Sequence, residues 1–259
     1  MRIHRFYTTE VIGNKTEFTI SSADLVNQVR RVFRLKSGDF VIVFDGSGSD
    51  YECSIVDFGK DTISLNVVSA RRSHYMPTRD VYLYAAVVKK DTFEWIVEKA
   101  TELGVTHIIP VMAERSEKKS LNEERLKKIA IEASEQSGRG SVPIIYPIVT
   151  LKEALCVTPS KDGVQEKEHN SESVTLDSGL RRNDDLQCVA FHTDAPAFSK
   201  SDITSDVSLG LFIGPEGGWS ADEITMFHSH EIPTKSLGNQ VLRAETAAVA
   251  ALSVVILGN

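Results

Sequence analysis

Two glycine-broken segments near the end of the chain, LFIGPEGGWSADE over residues 211–223 and SLGNQVLRAETAAVAAL over residues 236–252, constrain its fold more than any other stretch. An apolar run over residues 209–213 stops at Gly214-Pro215-Glu216-Gly217-Gly218. Ser220 with Glu223 three positions later then forms a capping box that opens a helix. The order is strand, glycine loop, helix. Further on, Leu237-Gly238-Asn239-Gln240 breaks the chain again, and an alanine-rich helix runs from Ala244. Two such loops suit one small ligand held by main-chain N–H and C=O groups, because glycine lets the backbone approach closely and take positive φ without steric cost.

The usual nucleotide signatures are absent. GPEGGWS lacks the Lys-Ser/Thr of a phosphate-cradling loop, and neither it nor Gly46-Ser47-Gly48 completes a GxGxxG fingerprint, so a triphosphate or a nicotinamide is not the expected ligand. Cys53, Cys156 and Cys188 lie apart with no CxxC pair, which points to neither a zinc site nor a disulfide framework. No stretch has signal-peptide character. The longest nearly apolar run, residues 247–257, is shorter than the ~20 residues a bilayer requires, so no membrane contact and a cytoplasmic location are expected. The formal charge of −7 runs against binding a phosphate backbone, but residues 1–75 hold 10 Lys+Arg against 9 Asp+Glu, about +1, leaving about −8 for the remainder.

The patterning divides the chain near residue 75. Ser22 caps a helix carrying Leu25, Val29, Val32 and Phe33, after which residues 40–44, 51–58 and 62–68 are β-rich runs separated by Gly/Asp/Ser turns, the spacing of a small barrel. From Val81 onward strand and helix alternate, which favours a parallel sheet covered by helices. Residues 81–88 read as a buried strand. Asp91 with Glu94, and Ser120 with Glu123, read as capping boxes, while Gly104 and Gly138 read as helix stops. Residues 158–186 are polar and without period, and are expected to form a mobile surface insertion ahead of a strand over residues 188–192. The last helix, residues 244–257, has only Glu245, Thr246 and Ser253 as polar side chains, so it is expected to be buried in a core or against another subunit.

The paired loops resemble those of the SPOUT superfamily of knotted methyltransferases. That superfamily holds S-adenosylmethionine between a Gly-Pro-Glu-Gly loop and a Leu-Gly-x-x-(Val/Ile)-Leu-Arg-x-Glu-Thr-Ala loop, matched here by Leu237, Gly238, Val241, Leu242, Arg243, Glu245, Thr246 and Ala247. KKDTFEWIVEKATELGVTHIIPVMAERS over residues 89–116, IEASEQSGRGSVPII over residues 131–145 and the opening MRIHRFYT are similar to one branch, the RsmE family, which methylates ring nitrogen 3 of a uridine in 16S ribosomal RNA. The likeness spans nearly the whole chain and fails over residues 158–186. It implies an α/β fold: a PUA-like β-barrel RNA-binding domain over residues 1–75, then a SPOUT-type trefoil-knotted domain with a mostly parallel sheet over residues 76–259. It also implies a homodimer formed through the last helix, acting on 16S rRNA or the small ribosomal subunit.

Methyl transfer to that nitrogen requires loss of its proton, so negative charge spreads to the flanking carbonyl oxygens. The site needs a methyl group about 3–3.5 Å from the nitrogen, a positive or N–H donor near the oxygens and a route for the proton. No metal and no cysteine adduct are required. Arg243 is the candidate donor, with capping or pairing to Glu245 as its structural alternative; Glu216 is the candidate proton acceptor or cofactor partner, or else a carboxylate favoured by the helix N-terminus. Leu211, Ile213, Gly214, Pro215, Gly217, Gly218, Leu237, Gly238, Val241, Leu242, Ala244 and Thr246 are the candidate cofactor contacts. His4, Arg5, Arg30, Arg34, Gln136 and Arg139 are candidate RNA contacts, although Arg139 also has Glu135 in reach as an i,i+4 partner. Within the same superfamily ribose 2′-oxygen methylation is the alternative reaction, and a non-catalytic RNA-binding assembly factor is the alternative class.

Overall fold

The computed structural model describes residues 3–116, 120–156, 186–204 and 207–257. They fall into two compact units, one drawn from residues 1–78 and 127–143, the other from residues 79–126 and 144–259.

In the first unit the strands are β1 (Arg5–Tyr7), β2 (Glu17–Ser21), β3 (Phe40–Phe44), β4 (Ser49–Phe58) and β5 (Thr62–Arg72), with α1 (Ala23–Asn27) after β2. They form one sheet in the order β1-β3-β4-β5-β2, antiparallel except for β1 on β3. Register shifts between Glu52 and Cys53 and between Ile55 and Asp57 bend β4 against β5, and such bulges increase twist. The curl encloses Phe6, Val41, Val43, Ile55 and Leu65. Among the described residues the edge strands β1 and β2 do not pair, so the barrel is open along that side. Ser22 caps α1 as the sequence suggests, its Oγ accepting from Leu25 N at 3.2 Å. The helix then widens into a π turn over Gln28–Val32, which rotates Val32 off the apolar stripe and leaves it 70% exposed.

Residues 127–143 join this unit through polar contacts. Tyr7 N donates to the Glu135 carboxylate at 2.9 Å, and Arg5 Nη2 donates to the Arg139 carbonyl at 3.0 Å. Burial pushes the Glu135 carboxyl up to about 7 from its usual 4.5, outweighing the opposing effect of hydrogen bonds from Tyr7 N and the Gln28 side chain. A carboxyl raised in the folded state stabilises fully below its unfolded value and loses that contribution as pH rises through about 7. The urea midpoint of the protein should therefore fall between pH 5 and pH 8, and Glu135→Gln should narrow that fall. Equal falls in both proteins would show that Glu135 does not carry the dependence.

The second unit contains β6 (Val81–Ala86), α2 (Lys90–Leu103), β7 (His107–Met112), α3 (Glu123–Ser137, shared with the first unit), β8 (Ile144–Ile145), β9 (Val149–Thr150) and α4 (Leu151–Cys156). After these come β10 (Leu186–Phe191), β11 (Ser208–Ile213), α5 (Ala221–Ser229), β12 (Thr234–Lys235) and α6 (Ala244–Leu252). The sheet runs β12-β10-β11-β6-β7-β8 with β9 also on β7, and every pair is parallel. All six residues of β6 are buried, as expected of a central parallel strand covered on both faces.

Local signals hold at some helix ends and yield at others. Gly104 stops α2 in the left-handed region at φ 109°, and Ser220 with Glu223 caps α5 reciprocally. Two other expected boxes do not form. α2 opens on Lys89 without a side-chain cap, because Glu94 is drawn instead to Lys90 at 3.6 Å and Arg125 at 3.4 Å. At α3 the cap is Asn122 rather than Ser120, its Oδ1 accepting from Arg125 N at 3.0 Å. β10 is described over Leu186–Phe191, and the remainder of the polar insertion lies outside the described residues. α6 packs on α2 and buries Ala244, Ala248, Ala251 and Leu252. In the π turn that continues it, Val254 and Leu257 stay 39% and 63% exposed, so among the described residues only one side of this apolar helix is covered.

Candidate functional site

The parallel register brings three loops to one place. Phe191 at the end of β10 pairs with Ile213 at the end of β11 and with Lys235 at the end of β12, so the segments leaving these strands emerge side by side. Ligand crevices of open α/β sheets lie beyond such carboxyl ends. Here the three segments enclose a cavity of about 310 Å³, within the size range of small-molecule sites.

Its first wall is the glycine loop. Gly218 N donates to Pro215 O at 2.8 Å, closing a tight turn in which Gly218 takes φ 66°. Trp219 follows, 3% exposed, with Nε1 donating to Phe191 O at 3.1 Å and its ring set edge-on to Phe227 at 5.1 Å. A Cβ on Gly214 would stand 3.2 Å from that indole, so the close packing of strand end on ring excludes a side chain there. The loop is also fixed from β7: the Arg115 Nη1 donates to Gly217 O at 2.7 Å, and Glu223 Oε1 accepts from Glu114 N at 2.8 Å while its Oε2 accepts from Ser220 N at 2.8 Å.

The second wall is the segment between β12 and α6. Gly238 takes φ 129°, and nothing lies within 4 Å of where a Cβ on Gly218 or Gly238 would stand. Both glycines therefore face open space rather than protein.

Eleven of the expected cofactor contacts line this one cavity: Ile213 with the whole loop from Gly214 to Gly218, then Leu237, Gly238, Val241, Leu242 and Ala244. Leu211 does not, since it is 1% exposed inside β11, and Thr246 sits exposed on α6 outside the lining. Glu216 is exposed and lines the cavity. Arg243 is the N-cap residue of α6 and makes no capping bond; its side chain is exposed and lies outside the lining, although Leu242 and Ala244 on either side belong to it. Ala247 of the second loop motif also lines it, and so do Arg115, Phe191, His192, Thr193, Trp219 and Gln240, which the sequence reading passed over as cofactor contacts.

The candidate RNA residues separate into buried and open sets. Arg5 is paired with Asp50 at 2.6 Å and lies over the Phe44 ring at 4.9 Å, and Arg139 is 3% exposed with Nη2 donating to Ser141 Oγ at 3.3 Å. Both arginines are therefore engaged within the first unit. Burial also lowers the Arg139 guanidinium to about 10. His4 is half-buried against Phe33 at 4.1 Å, and Gln136 is exposed. Arg30 and Arg34 are exposed and line a second hollow with Lys36, Asp57 and Phe58, Arg30 standing 5.9 Å from the Phe58 centroid. Among the described residues no cluster could hold a metal ion, and no helix is long and apolar enough to cross a membrane.

Comparison with known proteins gives these features a family context. A family model described as an RNA methyltransferase domain matches residues 75–256, and one described as an RNA methyltransferase PUA domain matches residues 29–68. The chain is similar to ribosomal RNA small subunit methyltransferase E of Rickettsia conorii, 30% identical over 99% of this chain and 96% of that protein. It is likewise similar to the Bacillus subtilis protein of that name, 29% identical over 96% and 93%. Among solved structures, a Legionella pneumophila methyltransferase in complex with bound cofactor SAM superposes with a TM-score of 0.81 at 26% identity, covering 100% of this chain and 98% of that one. A Neisseria gonorrhoeae ribosomal RNA small subunit methyltransferase E shares the fold with a TM-score of 0.81 at 23% identity, covering 98% and 97%.

Proposed function

The chain belongs to the RNA methyltransferase family of ribosomal RNA small subunit methyltransferase E, and from that membership we propose that the atom it methylates is ring nitrogen 3 of a uridine. It is an S-adenosylmethionine-dependent methyltransferase of 16S ribosomal RNA. The observation that carries the reading of the site is the single cavity walled by both glycine loops at the carboxyl end of the sheet.

The residues present fit the cofactor. Gly218 and Gly238 leave open the volume a side chain would fill, and the walls offer mainly backbone and apolar surface, suited to a neutral adenosine held by shape. Ile213, the glycine loop, Leu237, Gly238, Val241, Leu242 and Ala244 would hold it. Bound there, it supplies the methyl group. Glu216, exposed and part of the lining, would accept the ring proton or bond the cofactor. Arg243, outside the lining but between two lining residues, would grip the RNA at the rim. Arg30 and Arg34 face solvent in the first unit, as do Arg31, Lys36, Arg71 and Arg72, and would contact RNA, with residues 1–75 as the RNA-binding domain. The uncovered apolar side at Val254 and Leu257 suits a second copy of the chain, giving a homodimer. A cytoplasmic location follows from the substrate.

The test is mass mapping of 16S rRNA from cells lacking the protein. One base-methylated uridine should disappear and return with the wild-type protein. Arg243→Ala should restore it about tenfold more slowly, the size of one lost charge-assisted contact of about 1.5 kcal/mol. Loss of a ribose methyl instead, or of no methyl at all, would overturn the assignment of the acceptor atom.

A further inference from the structure

We propose that Arg115 is the cation of the transfer step, a role sequence reasoning gives to Arg243; the proposal rests on the reading of the cavity as the uridine-methylating site. Among the described residues lining that cavity, Arg115 is the one permanently charged cation, since the lining contains no lysine and no second arginine. The Arg243 side chain, by contrast, lies outside.

The position of Arg115 is built rather than incidental. Its backbone lies in a short turn in which Ser116 N donates to Ala113 O at 3.1 Å and Ala113 N donates to Ser116 Oγ at 3.2 Å. The preceding residue is anchored to Glu223, a carboxylate only 3% exposed. The side chain then reaches across to donate from Nη1 to Gly217 O at 2.7 Å, and a Cβ on Gly217 would come 3.3 Å from Arg115 Cδ, so that glycine makes room for the arginine stem. This bond occupies one donor of a planar fork that carries five. No other group among the described residues accepts from the guanidinium. The remaining donors belong to a cation tethered on the wall of the cavity.

The chemistry needs a charge of this kind. The ring nitrogen gives up its proton to a carboxylate or water, with Glu216 on the same lining as the available carboxylate. The nitrogen lone pair then forms the N–CH3 bond, and the electron pair of the breaking S–CH3 bond stays on sulfur, which goes from sulfonium to thioether. Between those events the negative charge sits on the ring and its two carbonyl oxygens. A guanidinium donating to one of those oxygens stabilises the anion more than the neutral ring, which makes the contact one that counts in the transition state.

The test compares wild type, Arg115→Ala and Arg115→Lys. Affinity for S-adenosylmethionine is measured by calorimetry, and single-turnover methylation of small subunits from cells lacking the protein is followed from pH 6.5 to 9.5, with the product mapped by mass. Arg115→Ala, which also loses the bond to Gly217 O, should bind the cofactor within about tenfold of wild type yet react about 100-fold more slowly at saturating cofactor near neutral pH. Its deficit should shrink as pH rises and the ring ionises without help. Arg115→Lys should recover part of the rate. An undiminished rate in Arg115→Ala overturns the proposal, as does a loss matched by weaker cofactor binding with an unchanged pH profile, which would leave Arg115 as a prop for the glycine loop. The wild-type product judges the acceptor atom separately: if it is methylated elsewhere than ring nitrogen 3, that reading fails while the comparison of variants still reports on Arg115.

Discussion

Trp219→Ala should lower the stability of the cavity-bearing unit by about 3–5 kcal/mol and remove cofactor binding with it. Three contacts are lost together: the edge-on packing against Phe227 at 5.1 Å, the contact with the backbone of Gly214, and the hydrogen bond to Phe191 O at 3.1 Å. The last takes the indole donor from the Phe191 carbonyl at the end of β10, a hydrogen bond of about 0.5–1.5 kcal/mol by itself. Trp219→Phe separates the terms, since it keeps most of the ring volume and loses the donor. Its cost should stay near the lower figure, and it should retain measurable cofactor affinity. Urea unfolding with and without S-adenosylmethionine reads both effects, because a ligand that binds only the folded state raises the midpoint. A phenylalanine variant as unstable as the alanine one would show that the hydrogen bond, not the packing, carries the effect.

The sequence displayed the site's glycines and hid its charges, and the reason is distance along the chain. β3 is legible at both ends because FVIVF is a β-rich run bounded by the turn residues 36–39 and 45–48, and the Ser220–Glu223 cap is legible because both partners lie within one turn. Arg115 carries no local mark. Its partner Gly217 is 102 residues away, and the two meet only through the order of strands in the sheet. Phe191, His192 and Thr193 were missed for the same reason: the segment after β10 has no glycine, and only its parallel register with β11 brings it to the cavity. Arg5 and Arg139 show the same effect from the other side. Basic residues in a polar context read as surface, but Asp50, 45 positions from Arg5, draws one inward, and the other is buried near a bond spanning 134 positions. Those long contacts also place residues 127–143 in the first compact unit, which no single cut near residue 75 expresses. Local boxes lose in the same way: Glu94 gives up its capping role for Arg125, 31 residues later.

Gly238→Val should reduce affinity for S-adenosylmethionine by at least about 100-fold while leaving thermal stability within about 1 kcal/mol, the range usual for an exposed loop position. The cause is the backbone. At φ 129° an L side chain is strained by about 1–3 kcal/mol, and a β-branched residue most of all, so the segment relaxes to another conformation and its carbonyls and N–H groups leave the cavity wall. No clash with the protein contributes, because no protein atom stands within 4 Å of the added Cβ. Gly218 provides the internal comparison. Its φ of 66° falls in the left-handed region that asparagine tolerates, so Gly218→Asn should keep affinity within about tenfold of wild type whereas Gly238→Asn should not. Calorimetry on the four variants Gly218→Asn, Gly218→Val, Gly238→Asn and Gly238→Val decides the matter. Unchanged binding in both valine forms would remove the cavity as the cofactor site, and equal losses at the two asparagine forms would show that lost space, not backbone angle, governs. Loss of affinity without loss of stability, graded by φ in this way, can arise only if the ligand is held by the main chain of these loops.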